Sequence, residues 1–200
     1  VIYNFFRKSI NIKKFNKVKS DFIFFGRLSI EKGIITLLKA FKKFKNRKLT
    51  ILGEGPLKNV VESYSEKNDN IIYLGFKNKP ELLNIVSSSK YVIVPSICYE
   101  NNPLSIVEAF SIGIPVIGSD FGGISELIEN NTTGFLFKKG DENSLYKTLK
   151  QSLTIENKKY ENMKKNCILF SKNNFNSKAH YNQLLDLYKK VIKSKKNTFI

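Results

Sequence analysis

From Asp21 to Phe137 the chain alternates short runs of β-branched and aromatic residues with longer amphipathic stretches, and this alternation is what most narrows its fold. Parallel strands need crossovers of about a dozen residues or more, usually helical, so repeated strand–helix units imply a parallel sheet. The runs at 22–25, 49–52, 71–74, 91–94, 116–117 and 135–137 are the expected strands. Each is short and almost wholly apolar, which fits strands covered on both faces by helices. Ile34, Leu37, Leu38, Phe41 and Phe44 recur at helical spacing, as do Leu57, Val60, Val61 and Tyr64 after Pro56. Residues 141–153, 155–170 and 176–195 read as three further helices with no strand between them. The expected fold class is α/β, a Rossmann-like parallel sheet flanked by helices with a helical C-terminal extension. The expected divisions are an entry segment over 1–20, the sheet domain over 21–153 and the extension over 154–200. A chain of 200 residues suffices for one such domain and is too short for two.

Several function classes drop out. Cys98 and Cys167 lie far apart, in contexts that read as apolar strand and helix, and offer neither a disulfide framework nor metal-ligand spacing. The expected compartment is therefore a reducing cytoplasm. No apolar run approaches the roughly 20 residues that span a bilayer, and no signal-peptide pattern opens the chain. The net charge is +17, but its distribution says more: residues 1–50 carry 14 basic and 2 acidic side chains, 51–150 carry 9 and 12, and 151–200 carry 11 and 3. Lysine accounts for 31 of the 34 basic residues, with no arginine-rich reading element, so nucleic acid is not the expected partner. A solvated lysine surface, or peripheral contact with an anionic membrane, fits the two basic ends. His180 stands in the terminal helical extension and is assigned to surface or packing.

In an open parallel sheet, ligands bind beyond the carboxyl ends of the strands. The loops there contain Gly26-Arg27-Leu28, Gly53-Glu54-Gly55-Pro56, Gly75-Phe76, Pro95 through Pro103, and Ser119 through Gly123. The segment Glu100-Asn101-Asn102-Pro103-Leu104-Ser105 leads into a helix, with Pro103 placed at its first position and Asn102 as its N-cap. The donors left over are the amides of Leu104 and Ser105. Two readings stay open: the helix start holds an anion such as a diphosphate, or the Asn102 side chain caps those same donors. Arg27 and Lys32 are the cations that could complete an anion site, and Arg27 could equally pair with Glu31 on the surface. Glu108, on the buried side of the same helix, needs a hydrogen-bonding partner, for which a ribose diol is suitable. Glu100 would lie beyond the phosphates, where a sugar could sit.

These residues resemble a known family. The run Tyr99-Glu100-Asn101-Asn102-Pro103-Leu104-Ser105-Ile106-Val107-Glu108-Ala109-Phe110, followed by Gly113-Ile114-Pro115-Val116-Ile117-Gly118-Ser119-Asp120 and Gly122-Gly123-Ile124-Ser125-Glu126-Leu127, is similar to the C-terminal domain of family 4 glycosyltransferases, the retaining enzymes of GT-B fold. Glu100 and Glu108 match the family's E-x7-E motif. Gly26-Arg27-Leu28 with Glu31-Lys32-Gly33, Gly53-Glu54-Gly55-Pro56, Tyr73-Leu74-Gly75 and the entry Tyr3-Asn4 also match, in the family's order.

The resemblance implies that Arg27 and Lys32 bind the donor diphosphate, Glu108 the ribose hydroxyls and Glu100 the donor sugar. Gly26, Gly53, Asn101, Asn102, Leu104 and Ser105 would supply backbone approach to sugar and phosphate, and the segment from Gly75 would meet the base. It also implies retention at the anomeric carbon and a UDP- or GDP-sugar as substrate, with no cofactor and no metal. The sequence departs at Pro103, which has no N–H and so removes one backbone contact to the sugar; Glu-Asn-x-Pro variants of the family share this. GT-B enzymes have two domains, so the expected partner is an N-terminal acceptor domain, removed or encoded separately. The expected role is the donor half of a cell-surface polysaccharide or glycolipid transferase. The alternatives are a donor-binding subunit that needs a separate chain, and a noncatalytic module that uses its lysines on anionic surfaces.

Overall fold

The sheet is built as the alternation requires. The computed structural model describes residues 3–5 and 20–196, so most of the entry segment expected over 1–20 lies outside the described residues. Six strands, β1 (Ser20–Phe25), β2 (Leu49–Leu52), β3 (Ile71–Tyr73), β4 (Ser89–Val94), β5 (Val116–Ser119) and β6 (Gly134–Phe137), form one sheet in the order β3-β2-β1-β4-β5-β6. Every pairing is parallel; Phe22 lies opposite Leu49, Ile23 opposite Val92, and Val94 opposite Gly118. The strand order reverses between β1 and β4, and it is at such a reversal that the carboxyl ends open a crevice.

The apolar runs are explained by burial on both faces. Phe22 and Phe24 of β1 join one core with Tyr91 and Ile93 of β4, while Ile23 and Phe25 join a second core with Val92 and Val94 on the opposite face. Helices α1 (Ile34–Phe41), α2 (Lys58–Lys67) and α6 (Glu142–Leu153) supply the first core. Helices α3 (Lys79–Ser87), α4 (Leu104–Ser111) and α5 (Gly123–Leu127) pack on the second, together with Cys167 of α7 (Asn157–Asn174). Tyr91 is fully enclosed, with its hydroxyl donating to the Ser152 carbonyl at 3.0 Å, so this one deep polar atom is satisfied.

The three C-terminal helices run α6, α7 and α8 (Ser177–Lys196) without an intervening strand, as expected from the sequence. His180 on α8 packs its ring 5.0 Å from that of Phe5 and donates through Nδ1 to the Tyr3 carbonyl at 2.7 Å, which is the packing role assigned to it. Cys98 departs from expectation: it sits in the loop between β4 and α4 rather than on a strand, because β4 already ends at Val94 before Pro95. Among the described residues no helix is long and apolar enough to cross a membrane.

Candidate functional site

Beyond the ends of β1 and β4 lies a cavity of about 430 Å³, within the range of small-molecule sites. Its floor is apolar, from Phe24, Phe25, Ile93 and Val94, and its walls carry Gly26, Arg27, Lys32, Ser96, Glu100, Asn102, Pro103, Leu104, Ser105 and Glu108.

The first wall follows from β1. Gly26 extends the sheet by donating to the Leu52 carbonyl at 3.1 Å, and Arg27 follows it, exposed at the cavity mouth. The chain then turns into α1 at Gly33, whose φ of +70° and whose approach to Pro95 both demand glycine: a Cβ there would lie 1.8 Å from the Pro95 carbonyl oxygen. This close approach sets Lys32 against the loop that follows β4. Lys32 Nζ lies 2.5 Å from Glu100 Oε1, and the Ser96 hydroxyl donates to the same oxygen at 2.9 Å. Glu31 does not turn to Arg27 for an ion pair. The Ser29 hydroxyl donates to its carboxylate at 2.6 Å, and that bond, then its own backbone amide, hold the carboxyl below its ordinary range, with Arg27 and Lys32 adding their charge.

The second wall is the start of α4. Pro103 has φ −61° and ψ 123°, so it is extended and serves as the N-cap, one place earlier than the sequence rule set it. Its carbonyl accepts from Ile106 at 3.0 Å and Val107 at 3.3 Å, and the first helical residue is Leu104. The Asn102 side chain caps nothing: its Oδ1 and Nδ2 are both shut off from water and have no partner. Neither the Leu104 nor the Ser105 amide meets a protein acceptor among the described residues. Of the two readings of the helix start, self-capping by Asn102 does not occur. Asn102 is instead held through its backbone, its carbonyl accepting from Asn4 Nδ2 at 3.0 Å.

Glu108 is 8% exposed, and Lys79 Nζ, at the first residue of α3, donates to its Oε1. A buried carboxylate without such a partner would be costly.

Three expected residues stand off the wall. Gly53 donates to the Gly75 carbonyl at 2.9 Å, and a Cβ on Gly53, whose φ is +131°, would lie 1.9 Å from the Gly26 carbonyl oxygen; these glycines lace together the ends of β1, β2 and β3 beside the cavity. Asn101 is exposed, with its carbonyl against the backbone of Gly123. Two residues were missed from sequence. Ser96 lay in a loop already marked as informative and was findable there. Lys79 had no local signal, since its partner is 29 residues away on another helix.

A family model described as "Glycosyl transferases group 1" matches residues 5–169. The chain belongs to the group 1 glycosyltransferases. An Escherichia coli UDP-Gal:alpha-D-GlcNAc-diphosphoundecaprenol alpha-1,3-galactosyltransferase is 30% identical over 190 residues, covering 88% of this chain and 48% of that protein. The Erwinia amylovora amylovoran biosynthesis glycosyltransferase AmsK is 28% identical over 161 residues, 71% of this chain and 40% of that protein. Among solved structures, a sucrose-phosphate synthase from Thermosynechococcus elongatus superposes with a TM-score of 0.75 at 25% identity, over 88% of this chain and 47% of that one. This group 1 chain has the Rossmann-like fold of a GT-B C-terminal half, and it spans 34–48% of the length of three curated relatives.

Proposed function

We propose that this chain is the donor-binding half of a sugar transferase, with residues 21–153 holding a nucleoside diphosphate sugar, 154–200 forming a helical extension and 1–20 the link from an acceptor domain. One observation carries the reading: the amides of Leu104 and Ser105, which meet no protein acceptor among the described residues and are not capped by Asn102, belong to residues that line a cavity walled by Arg27 and Lys32. Donors at a helix start flanked by two cations form a site for a diphosphate. Glu108 takes the ribose diol and Glu100 a sugar hydroxyl, while the loop from Gly75 faces the base.

In the transfer, the bond from the anomeric carbon to the diphosphate breaks and one to an acceptor hydroxyl forms with retention. Positive charge for the leaving diphosphate comes from Arg27, Lys32 and the α4 amides, placed before the reaction begins. With that charge supplied by the protein, the reaction runs without a divalent cation. The Escherichia coli galactosyltransferase, which uses UDP-Gal on a diphosphoundecaprenol-linked sugar, favours a UDP-sugar donor, and together with the Erwinia amylovoran enzyme it favours a product in polysaccharide or lipid-linked glycan synthesis. Both basic ends suit work beside an anionic membrane from the cytoplasmic side.

Titration calorimetry of the chain with UDP and with GDP tests the reading. The expected result is saturable one-to-one binding of at least one of them, unaffected by EDTA and weakened in Arg27→Ala. Equal binding of any polyanion, abolished by salt, would instead support a lysine-driven interaction module. No saturable site for either nucleotide would overturn the donor assignment.

A further inference from the structure

We infer that Lys79 is a positioning residue for Glu108 and thereby sets the preference of this site for ribonucleotides over deoxyribonucleotides, an inference that rests on the donor reading above. The Glu108 carboxylate forms part of the cavity wall and is nearly closed to water, with side-chain exposure of 10%. Lys79 is not on that wall; it reaches Glu108 Oε1 from the start of α3, its own side chain 45% exposed. The lysine therefore addresses the carboxylate from outside the cavity, leaving the inner side for a ligand.

The chemistry of a vicinal diol explains why this contact is needed. A diol presents two O–H donors and is best met by an ionised carboxylate, which only accepts; a protonated carboxyl would set a donor against one of those hydroxyls. An ammonium set against one oxygen from outside the cavity leaves the carboxylate's other lone pairs to accept from the diol. By fixing one oxygen, Lys79 also fixes the rotation of the carboxyl plane, so that the remaining lone pairs present a single geometry to the cavity. The position of Lys79 is itself well defined. Asn78 caps α3 by accepting from the Glu81 amide at 3.1 Å, and Pro80 stiffens the first turn. The segment 74–78, which runs from the end of β3 past Gly75 to this cap, is thus tied through Lys79 to the residue assigned to the ribose. Base loop and ribose carboxylate are held as one unit, although they belong to different βα crossovers.

The test is calorimetry on this chain with whichever of UDP or GDP it binds, and with the 2′-deoxy counterpart, for wild type, Lys79→Met and Lys79→Arg, with thermal unfolding to confirm folding. Wild type should prefer the ribonucleotide by about tenfold or more, the worth of a hydrogen bond to a charged group. In Lys79→Met the preference should shrink to within about threefold while affinity for inorganic diphosphate is unchanged, and Lys79→Arg should restore most of it. A folded Lys79→Met that keeps the wild-type preference would overturn the inference and leave the donor reading intact. Tighter ribonucleotide binding by Lys79→Met would also overturn it, since the lysine would then be masking the carboxylate. Failure of wild type to bind either nucleotide would instead refute the donor reading itself.

Discussion

Substitution of Leu104 by proline removes one backbone donor from the proposed diphosphate site while asking almost nothing else of the fold. Proline inside a helix costs about 3 kcal/mol because it deletes an intrahelical bond and strikes the preceding turn. Neither penalty applies at Leu104. As the first residue of α4 its amide has no intrahelical acceptor, and the residue four places back, Glu100, is in a loop. A residue before proline is pushed to extended backbone, and Pro103, with ψ 123°, is extended already. The Leu104 side chain is 56% exposed, so little burial is lost.

The substitution therefore isolates one N–H. If that N–H donates to a phosphate oxygen, the bond is charge-assisted and worth about 1.5–3 kcal/mol, or roughly 10- to 150-fold in affinity. Calorimetry with UDP or GDP should show that loss for Leu104→Pro and near wild-type affinity for Leu104→Ala, which trims the side chain and keeps the amide. Thermal unfolding of both variants should stay close to wild type. A folded Leu104→Pro that binds within threefold of wild type would refute the claim that the α4 start grips the ligand through its backbone.

Gly33→Ala is the opposite case, a change of one methyl with a large effect: the added carbon meets the Pro95 carbonyl at 1.8 Å and the φ of +70° disfavours any side chain, so the melting temperature should fall by several degrees and nucleotide binding with it, as Lys32 is carried away from Glu100. Cys98 is partly exposed whereas Cys167 is enclosed, bonds the Thr133 carbonyl at 3.3 Å and has its thiol pushed well up by burial. A thiol reagent at neutral pH should accordingly label Cys98 alone in the native protein and both cysteines in denaturant. Asp141 caps α6, accepting from Ser144 at 3.0 Å and Asn143 at 2.9 Å, and these bonds, the one from Ser144 foremost, hold its carboxyl below the ordinary value of 3.8. A depressed folded-state value adds stability above the unfolded value and loses it as the pH falls, so wild type should lose more melting temperature than Asp141→Asn between pH 7 and about pH 3.

What the sequence made legible and what it hid divide along the range of the interactions involved. Strand β2 could be read in full, and β1 and β4 over all but their first two residues, because burial on both faces makes Phe22 through Phe25, Leu49 through Leu52 and Tyr91 through Val94 almost wholly apolar, whereas Ser20-Asp21 and Ser89-Lys90 carry no such signal. Edge strand β3 was read one residue too long, and β5 two too short, because Gly118 and Ser119 have no apolar signature although both are buried in the sheet. The helix that opens the site was placed correctly, but its cap was displaced by one residue. The φ of proline is shared by the N-cap and the first helical turn, and only ψ, which the sequence does not encode locally, separates them. That single step matters for the proposed site, because it moves Asn102 out of the capping position and leaves the Leu104 and Ser105 amides without a side-chain acceptor from it. Arg27, Lys32 and Glu100 could be singled out because they follow strand ends, where the topology opens a crevice, and Glu108 because it lies on the buried side of the helix leading from it; the structure brings all four to one cavity. Lys79 was not found, because its meaning is created by α3 crossing near α4 and appears in neither helix by itself. The parts of a site set by backbone topology are thus readable from one chain, whereas those set by side chains meeting across elements become visible only when the elements have been packed.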